Sequence, residues 1–450
     1  VYLSSGIHTL HSKLKDICGS DFIFDDVLEL KYFSVDGLVP RAVAAPGTVE
    51  EALSIVALAR DERLSIIPRG GGIRMNYGHP PTSVDLVLLT SRFGQVLELT
   101  PENLTVVLEC GIPLSELEHR LKKHRVFLPV NPSRPEMSTP GGVAAANASG
   151  PRRLRYGSMR DRVLGMKVIT GSAELISSGA KTVKNVAGYD LNKLLVGSLG
   201  TLGLITEMVL KLEPLPEKFQ AVMAIFPELS QALVASQSLL RFNPSLSFLE
   251  LLCPEALPRM FPLPGESPAP YPGFALVAGS EGTSELVYHQ TGQINKIFNQ
   301  EHARDILEFS HGLESEIDWL LQDACFEEKR LSLKVSFPPG RLSVVMEGAE
   351  DLACKHHLRI ASIAQVGAGV AHVFLLHDEP ESLLDGIASF IRELRRFCAE
   401  IDGYVLVLNA PATLKRSIPA FTFSGNEVEI LSKIKVAFDP ENIFSPARMF

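Results

Sequence analysis

The chain has 450 residues, a length at which a single hydrophobic core gives way to two or three domains. Hydrophobic residues at 46% and charged residues at 21% describe a globular protein and exclude a disordered one. A net charge of -9 argues against nucleic-acid binding, which needs a basic face to displace counterions, and no apolar run is long enough to span a bilayer.

Val1 to Lys15 has no basic start followed by an apolar block, so no secretory signal is expected. Cys18, Cys110, Cys253, Cys325, Cys354 and Cys398 are scattered without a C-x-x-C pair. That spacing argues against a disulfide framework or an iron–sulfur cluster held wholly by this chain, and points to a reduced, cytoplasmic compartment. Any one-electron relay then belongs to another protein.

In chain order, Thr48 and Glu51 form a capping-box pattern ahead of Leu53, Val56, Ala57 and Leu64, which predicts a helix from Thr48 to Leu64. Leu64 to Pro68 reads as a strand that runs into Arg69-Gly70-Gly71-Gly72. Val84–Leu89, Gln95–Leu99 and Leu104–Glu109 are short β-branched runs with the length of strands. Pro113 opens a helix with Leu114, Leu117 and Leu121 on one face. Val163–Thr170 and Glu174–Ser178, joined by Gly171-Ser172, predict a hairpin. Glu213-Pro-Leu-Pro-Glu217 is the linker candidate. Pro254 to Gly273 is proline-rich and reads as a loop, His356 and His357 read as part of a solvated helix, and Leu383 to Glu400 is a strongly amphipathic helix. A short helix and Phe438-Asp-Pro to Phe444-Ser-Pro446 close the chain.

Four segments are rich in small residues: Pro68 to Arg74, Thr139 to Gly150, Tyr156 to Gly165, and Gly197 to Gly203. One such cluster is ordinarily a turn. Four in one region suit a ligand with phosphates, because amides in glycine turns form concave anion sites and the missing Cβ permits close approach. No segment reads G-x-G-x-x-G or G-x-x-x-x-G-K-[ST], so a Rossmann site and a P-loop are both poorly supported.

Pro68-Arg-Gly-Gly-Gly72, Thr139-Pro-Gly-Gly-Val-Ala-Ala-Ala-Asn147 and Tyr189-Asp-Leu-Asn-Lys-Leu-Leu-Val-Gly-Ser-Leu-Gly-Thr-Leu-Gly203, in that order, resemble the vanillyl-alcohol-oxidase or PCMH-type flavoproteins. The ordered series covers about Arg41 to Pro214. Within that family, Gly150-Pro-Arg-Arg153, Gly157 to Gly165 and Lys184-Asn-Val-Ala-Gly-Tyr-Asp190 look like the second FAD-binding subunit of bacterial glycolate oxidase, and the tail is similar too. Residues 218 to 420 match more weakly.

The resemblance implies an α+β chain. Its parts are a PCMH-type two-subdomain FAD-binding domain over 1–217, an α+β cap domain over 218–424, and a segment over 425–450 that returns to the FAD domain. It also implies residue roles. Arg69, Gly70, Gly71, Gly72, Ile73 and Arg74 wrap the pyrophosphate through their amides. Thr139, Pro140, Gly141, Gly142, Ala145 and Asn147 line the flavin and ribose, Gly157, Ser158 and Asp161 continue that wall, and Ile205 meets the adenine end. Some members hold the flavin covalently through a His in the glycine loop. Here Gly71 and Gly72 occupy that loop and His79 lies beyond it, so non-covalent FAD is expected.

Arg152, Arg153, Arg155, Arg160 and Arg162 crowd one short stretch. A solvated loop on an acidic protein is weighed evenly against two sharper readings taken together, phosphate pairing or a surface for an acidic partner. Lys184 and Tyr189 are weak candidates for polar groups beside the flavin. The catalytic relatives carry a cap motif resembling H-x-G-D-G-N-x-H and a later G-E-H-G, which supply imidazoles for a metal and for proton removal. Here the stretch is Gln365-Val-Gly-Ala-Gly-Val-Ala-His372: Gln365 stands for the first His, Ala368 for the Asp and Val370 for the Asn. Leu408 to Arg416 has no His. A Gln and one His make a poor shell for a divalent ion, so no metal site is expected. His372 before Val373-Phe374-Leu375-Leu376 reads more readily as a packed or edge-strand residue than as a base.

The resemblance thus implies an FAD-binding subunit of a 2-hydroxy-acid dehydrogenase complex. It would stand beside a catalytic FAD subunit and an iron–sulfur subunit, and reach the inner membrane only through them. A self-sufficient FAD oxidoreductase with an unrecognised pocket and a structural flavoprotein that does not turn over stay open as alternatives.

Overall fold

A computed structural model describes residues 2–181, 188–242, 245–257, 273–309, 331–377 and 383–449. It is built on three main sheets, each with its helices, and the α+β class expected from the sequence is what it shows.

The first sheet orders its strands as Ile23–Phe24, Ala42–Ala44, Leu86–Leu89 and Ile66–Arg69, the last three parallel. Parallel strands need crossovers. One is the predicted helix, seen at Val49–Glu62, with the Thr48 hydroxyl accepting from the Glu51 amide. Ala52, Ile55, Val56 and Ala59 form its buried stripe. The second sheet is antiparallel, in the order Val96–Thr100, Thr105–Glu109, Leu204–Lys211, Val163–Ile169 and Leu175–Gly179. The last two strands are the predicted hairpin. Helices Leu114–Lys122 and Pro140–Ala146 pack with this sheet, and one apolar core runs through both sheets.

The third sheet has eight antiparallel strands: Asp305–Phe309, Lys218–Phe226, Phe274–Gly282, Phe248–Leu252, Ile360–Gln365, Val370–Leu375, Ser332–Ser336 and Tyr404–Asn409. Helices Leu229–Phe242, Ser284–Gln300, Leu342–Lys355 and Leu384–Glu400 share its separate core. No helix among the described residues is long and apolar enough to cross a membrane.

The tail closes on the first sheet. Helix Gly425–Phe438 leads to a segment in which the Ile66 amide donates to Ile443 O (2.7 Å) and the Ser445 amide to Ile66 O (2.8 Å). Lys435 anchors this turn, with Nζ donating to Thr201 O, Phe444 O and Asp439 Oδ2 at 2.7, 2.7 and 2.5 Å.

One sequence reading is corrected, that of His356 and His357, and two gain detail. Glu213-Pro214 is extended and pairs with Val126-Phe127, and the Leu215 amide donates to Arg125 O, so the linker candidate is a hydrogen-bonded crossing. His356 caps the end of helix Leu342–Lys355 and His357 follows with φ 55°, so neither lies within a helix. The arginine stretch is divided: Arg155 and Arg160 are exposed, Arg152 and Arg153 half-buried, and Arg162 buried. Arg152 sits 3.3 Å from the Glu281 carboxylate, whose side chain is fully buried, and Arg155 donates to Glu281 O (2.6 Å). Arg162, itself buried, donates to Glu213 Oε1 (2.6 Å). Arg152 and Arg155 thereby tie the second sheet's entry to the third sheet.

Candidate functional site

Two adjoining clefts lie between these sheets. The first has a volume of ≈ 830 Å³ including its mouth and is walled by the loop Arg69–Met75, by Met137 to Val143, and by Leu199 to Ile205. The loop begins where strand Ile66–Arg69 ends. Arg69 is buried with its guanidinium against the Tyr32 and Phe33 rings, 5.2 and 4.9 Å from the centroids. Burial lowers its pKa, and the side chain serves the loop's footing.

The backbone that follows carries the site. Among the described residues, the amides of Gly70, Gly71, Gly72 and Ile73 donate to nothing, leaving four consecutive donors for an anion. The loop lies so close to its neighbours that a Cβ on Gly70 would fall 2.3 Å from Thr139 Oγ1, and one on Gly71 1.6 Å from Met137 O. Only Gly72 needs its conformational freedom, with φ 79°. The three glycines make a cradle fitted to a phosphate-bearing, flat ligand, which is what FAD requires.

Thr139 caps helix Pro140–Ala146 by accepting from the Gly142 amide (3.2 Å), while Gly141 N donates to Cys110 O. Thr139, Gly141, Gly142 and Ala145 line the first cleft with Ile205. Pro140 is buried behind them and lines neither cleft. Cys110 also lines it, but burial pushes its thiol up to about 12 and Sγ donates to Ile205 O (2.7 Å).

Gly157, Ser158 and Asp161 line neither cleft. They build a capping box at helix Met159–Arg162, where Asp161 Oδ2 accepts from Ser158 N (2.8 Å) and Oγ (3.0 Å). Burial acts to raise the Asp161 pKa, but these bonds, with Lys193 and Arg162 nearby, hold it below the ordinary carboxylate value. A lowered folded-state pKa means stability that is present above the unfolded value and lost as pH falls through the folded one. Asp161→Asn is therefore expected to cost about 0.5–1 kcal/mol near neutral pH, a screened cap at an exposed site. Denaturant melts of both proteins should converge as the pH drops below the ordinary carboxylate range.

The second cleft, ≈ 690 Å³ including its mouth, separates Ala146 to Pro151 and Arg153 from the third sheet. Asn147, in the left-handed region at φ 44°, turns the chain from the first cleft into this one, and Arg74 and Ala146 line both. The sheet contributes Glu250, Gln365, His372 and Lys334. His372 is on an interior strand, not an edge, and its Nδ1 is buried without a hydrogen-bond partner. Burial first, then Lys334 and Arg153, lowers its pKa to about 3, so the imidazole is neutral at physiological pH. Among the described residues no three His, Cys, Asp or Glu side chains converge as metal ligands. Tyr189 is 97% exposed, and Lys184 lies outside the described residues.

Three contributors escaped sequence reasoning. Lys334 was legible as the one charge within Leu331-Ser-Leu-Lys-Val-Ser-Phe337, and Glu250 likewise within Phe248-Leu-Glu-Leu-Leu252. Arg448 left no such signal. It is buried, donates to Met75 O and lines the first cleft from the returning tail.

Comparison with known proteins agrees with this geometry. An "FAD binding domain" family model matches residues 40–179, and "FAD linked oxidases, C-terminal domain" matches 215–449. Glycolate oxidase subunit GlcD of Bacillus subtilis (strain 168) is 27% identical over 431 residues, covering 92% of this chain and 89% of the relative. D-lactate dehydrogenase of Archaeoglobus fulgidus is 26% identical over 429 residues, covering 92% and 93%. Among solved structures, p-cresol methylhydroxylase superposes with a TM-score of 0.76 at 16% identity, covering 98% of this chain and 96% of that one. Alkyldihydroxyacetonephosphate synthase superposes at 0.72 and 19% identity, covering 98% and 86%. Both show the PCMH-type fold. With one model over the glycine cradle and another over the sheet that faces it, this chain belongs to the FAD-linked oxidases and is an FAD-dependent oxidoreductase.

Proposed function

We propose that the chain is the FAD-binding subunit of a dehydrogenase complex that oxidises a small 2-hydroxy acid of the glycolate or lactate type. Its partners are a catalytic FAD subunit and an iron–sulfur subunit, to which the electrons pass. It works as a cytoplasmic protein that reaches the inner membrane through those partners. The observation that carries this reading is the juxtaposition of a phosphate-fitted glycine cradle with a small polar cleft, two residues lining both. The names of the relatives, a glycolate oxidase subunit and a D-lactate dehydrogenase, supply the substrate type.

FAD bound in the first cleft supplies a two-electron acceptor that can release electrons singly. This chain's residues bind and orient it. The free amides of Gly70 to Ile73 neutralise the diphosphate charge, and Thr139 to Ala145 provide a flat wall with small side chains. Ala146 to Pro151 carry that wall under the third sheet, which covers the inner cleft.

The test is the visible spectrum of the purified chain, taken anaerobically with glycolate or D-lactate, alone and with the partner subunits. We expect a bound flavin that bleaches with substrate and then reduces the iron–sulfur partner. A flavin that neither acid reduces, with all subunits present, would sink the proposal.

A further inference from the structure

The strands of the third sheet set its cleft-facing residues side by side. Glu250 is opposite Gln365, Ile363 opposite His372, and His372 opposite Lys334. Arg153 reaches the same cleft from the other wall. Its neighbours in sequence are committed elsewhere, Arg152 and Arg155 to Glu281, whereas Arg153 and Lys334 have no carboxylate or other acceptor among the described residues. The Lys334 ammonium is lowered to about 8 by burial and then by Arg153, with no acid acting to raise it. Glu250 lines the cleft too and is not free. Two cations and a neutral imidazole with an unpaired Nδ1 thus face one small space. Keeping unpaired charges so close costs stability unless an anion fills the gap.

We propose that this cleft is a carboxylate-binding site in which Lys334 and Arg153 hold the anion and His372 Nδ1 accepts a hydrogen bond from a hydroxyl beside it. The site rests on the hydroxy-acid reading above and adds to it that this chain has its own substrate pocket. Its charge comes from a lysine and an arginine, where the resemblance implies a metal in the catalytic relatives. Arg74 and Ala146 join it to the FAD cleft, so a held anion lies against the ligand of that cleft.

The experiment uses the full FAD-loaded chain with EDTA present throughout. Oxalate, which the flavin cannot oxidise as an alcohol, is titrated by calorimetry and by the perturbation of the flavin spectrum. We expect one saturable site, weakened at least about 10-fold in Lys334→Met and in Arg153→Gln, the loss typical of removing one charged partner. Affinity should fall as pH rises past about 8, where the free Lys334 loses its charge, while His372 stays neutral across that range. Flavin content and melting temperature of the variants confirm that they are folded. Absence of oxalate binding, binding that appears only when a divalent metal replaces EDTA, or wild-type affinity in both variants would overturn the site. Failure of the hydroxy-acid reading looks different: oxalate still binds, and Lys334 still controls it, while glycolate and D-lactate leave the flavin oxidised.

Discussion

Gly71→Ala is expected to leave the purified protein nearly colourless. The ideal Cβ at this position would sit 1.6 Å from Met137 O and 2.5 Å from the Met137 carbonyl carbon, against backbone that cannot rotate away. The fault is steric and not conformational, because Gly71 does not have a positive φ. To admit one methyl group, the loop must move off the Met137–Thr139 segment, and its free amides move with it. Overpacking costs about 1–3 kcal/mol even where side chains can yield, so with backbone on both sides FAD affinity should fall at least ~100-fold. The ratio of flavin to protein absorbance after gel filtration reports the loss. Gly292→Ala is the control. Nothing lies within 4 Å of a Cβ there, so that helix should gain up to ~1 kcal/mol while retaining its flavin. Stoichiometric FAD in Gly71→Ala would displace the cradle from its assigned place.

Lys435→Met is expected to be the most destabilising single change in the tail. Asp439 is fully buried, and its carboxylate accepts from Lys435 Nζ and from the amides of Ile443 (3.0 Å) and Phe444 (2.7 Å). Burial lowers the Lys435 pKa while Asp439 opposes it. Methionine keeps the packing but strands a carboxylate and two carbonyls, Thr201 O and Phe444 O. Breaking one half of a buried pair costs ~3–5 kcal/mol. Denaturant titration should show that loss, with release of FAD at lower denaturant than in wild type. Combining it with Asp439→Leu should recover part of the stability, since removing both charges is far less costly than removing one. Unchanged stability in Lys435→Met would refute the anchor.

What could be read from the sequence follows from the range of the interactions concerned. Helix Val49–Glu62 and the hairpin at Gly171-Ser172 were legible because caps, turns and periodicity act over a few residues. The glycine loop was legible because its demand for missing side chains is local, although the group that enforces it, Met137 O, is distant in sequence. The arginine stretch was not. Arg152 looks solvated until Glu281, on a remote strand, is folded against it. His372 was underrated for a similar reason: its significance comes from Lys334 across one strand pair and Arg153 across the cleft. An isolated charge inside an apolar strand was the signal available, and it marks Lys334 and Glu250 alike.

The returning tail also bears on how the protein is made. The first cleft takes its glycine loop from Arg69 to Arg74 and one of its wall residues, Arg448, from a segment translated much later. Strand Ile66–Arg69 lacks its Ile443 and Ser445 neighbours until that segment is synthesised. During elongation, the edge of the first sheet and the half-built cleft are exposed to chaperones and to other nascent chains. The cleft is complete only once the tail has docked, so a chain truncated before Ile443 is expected to hold FAD more weakly than the full chain.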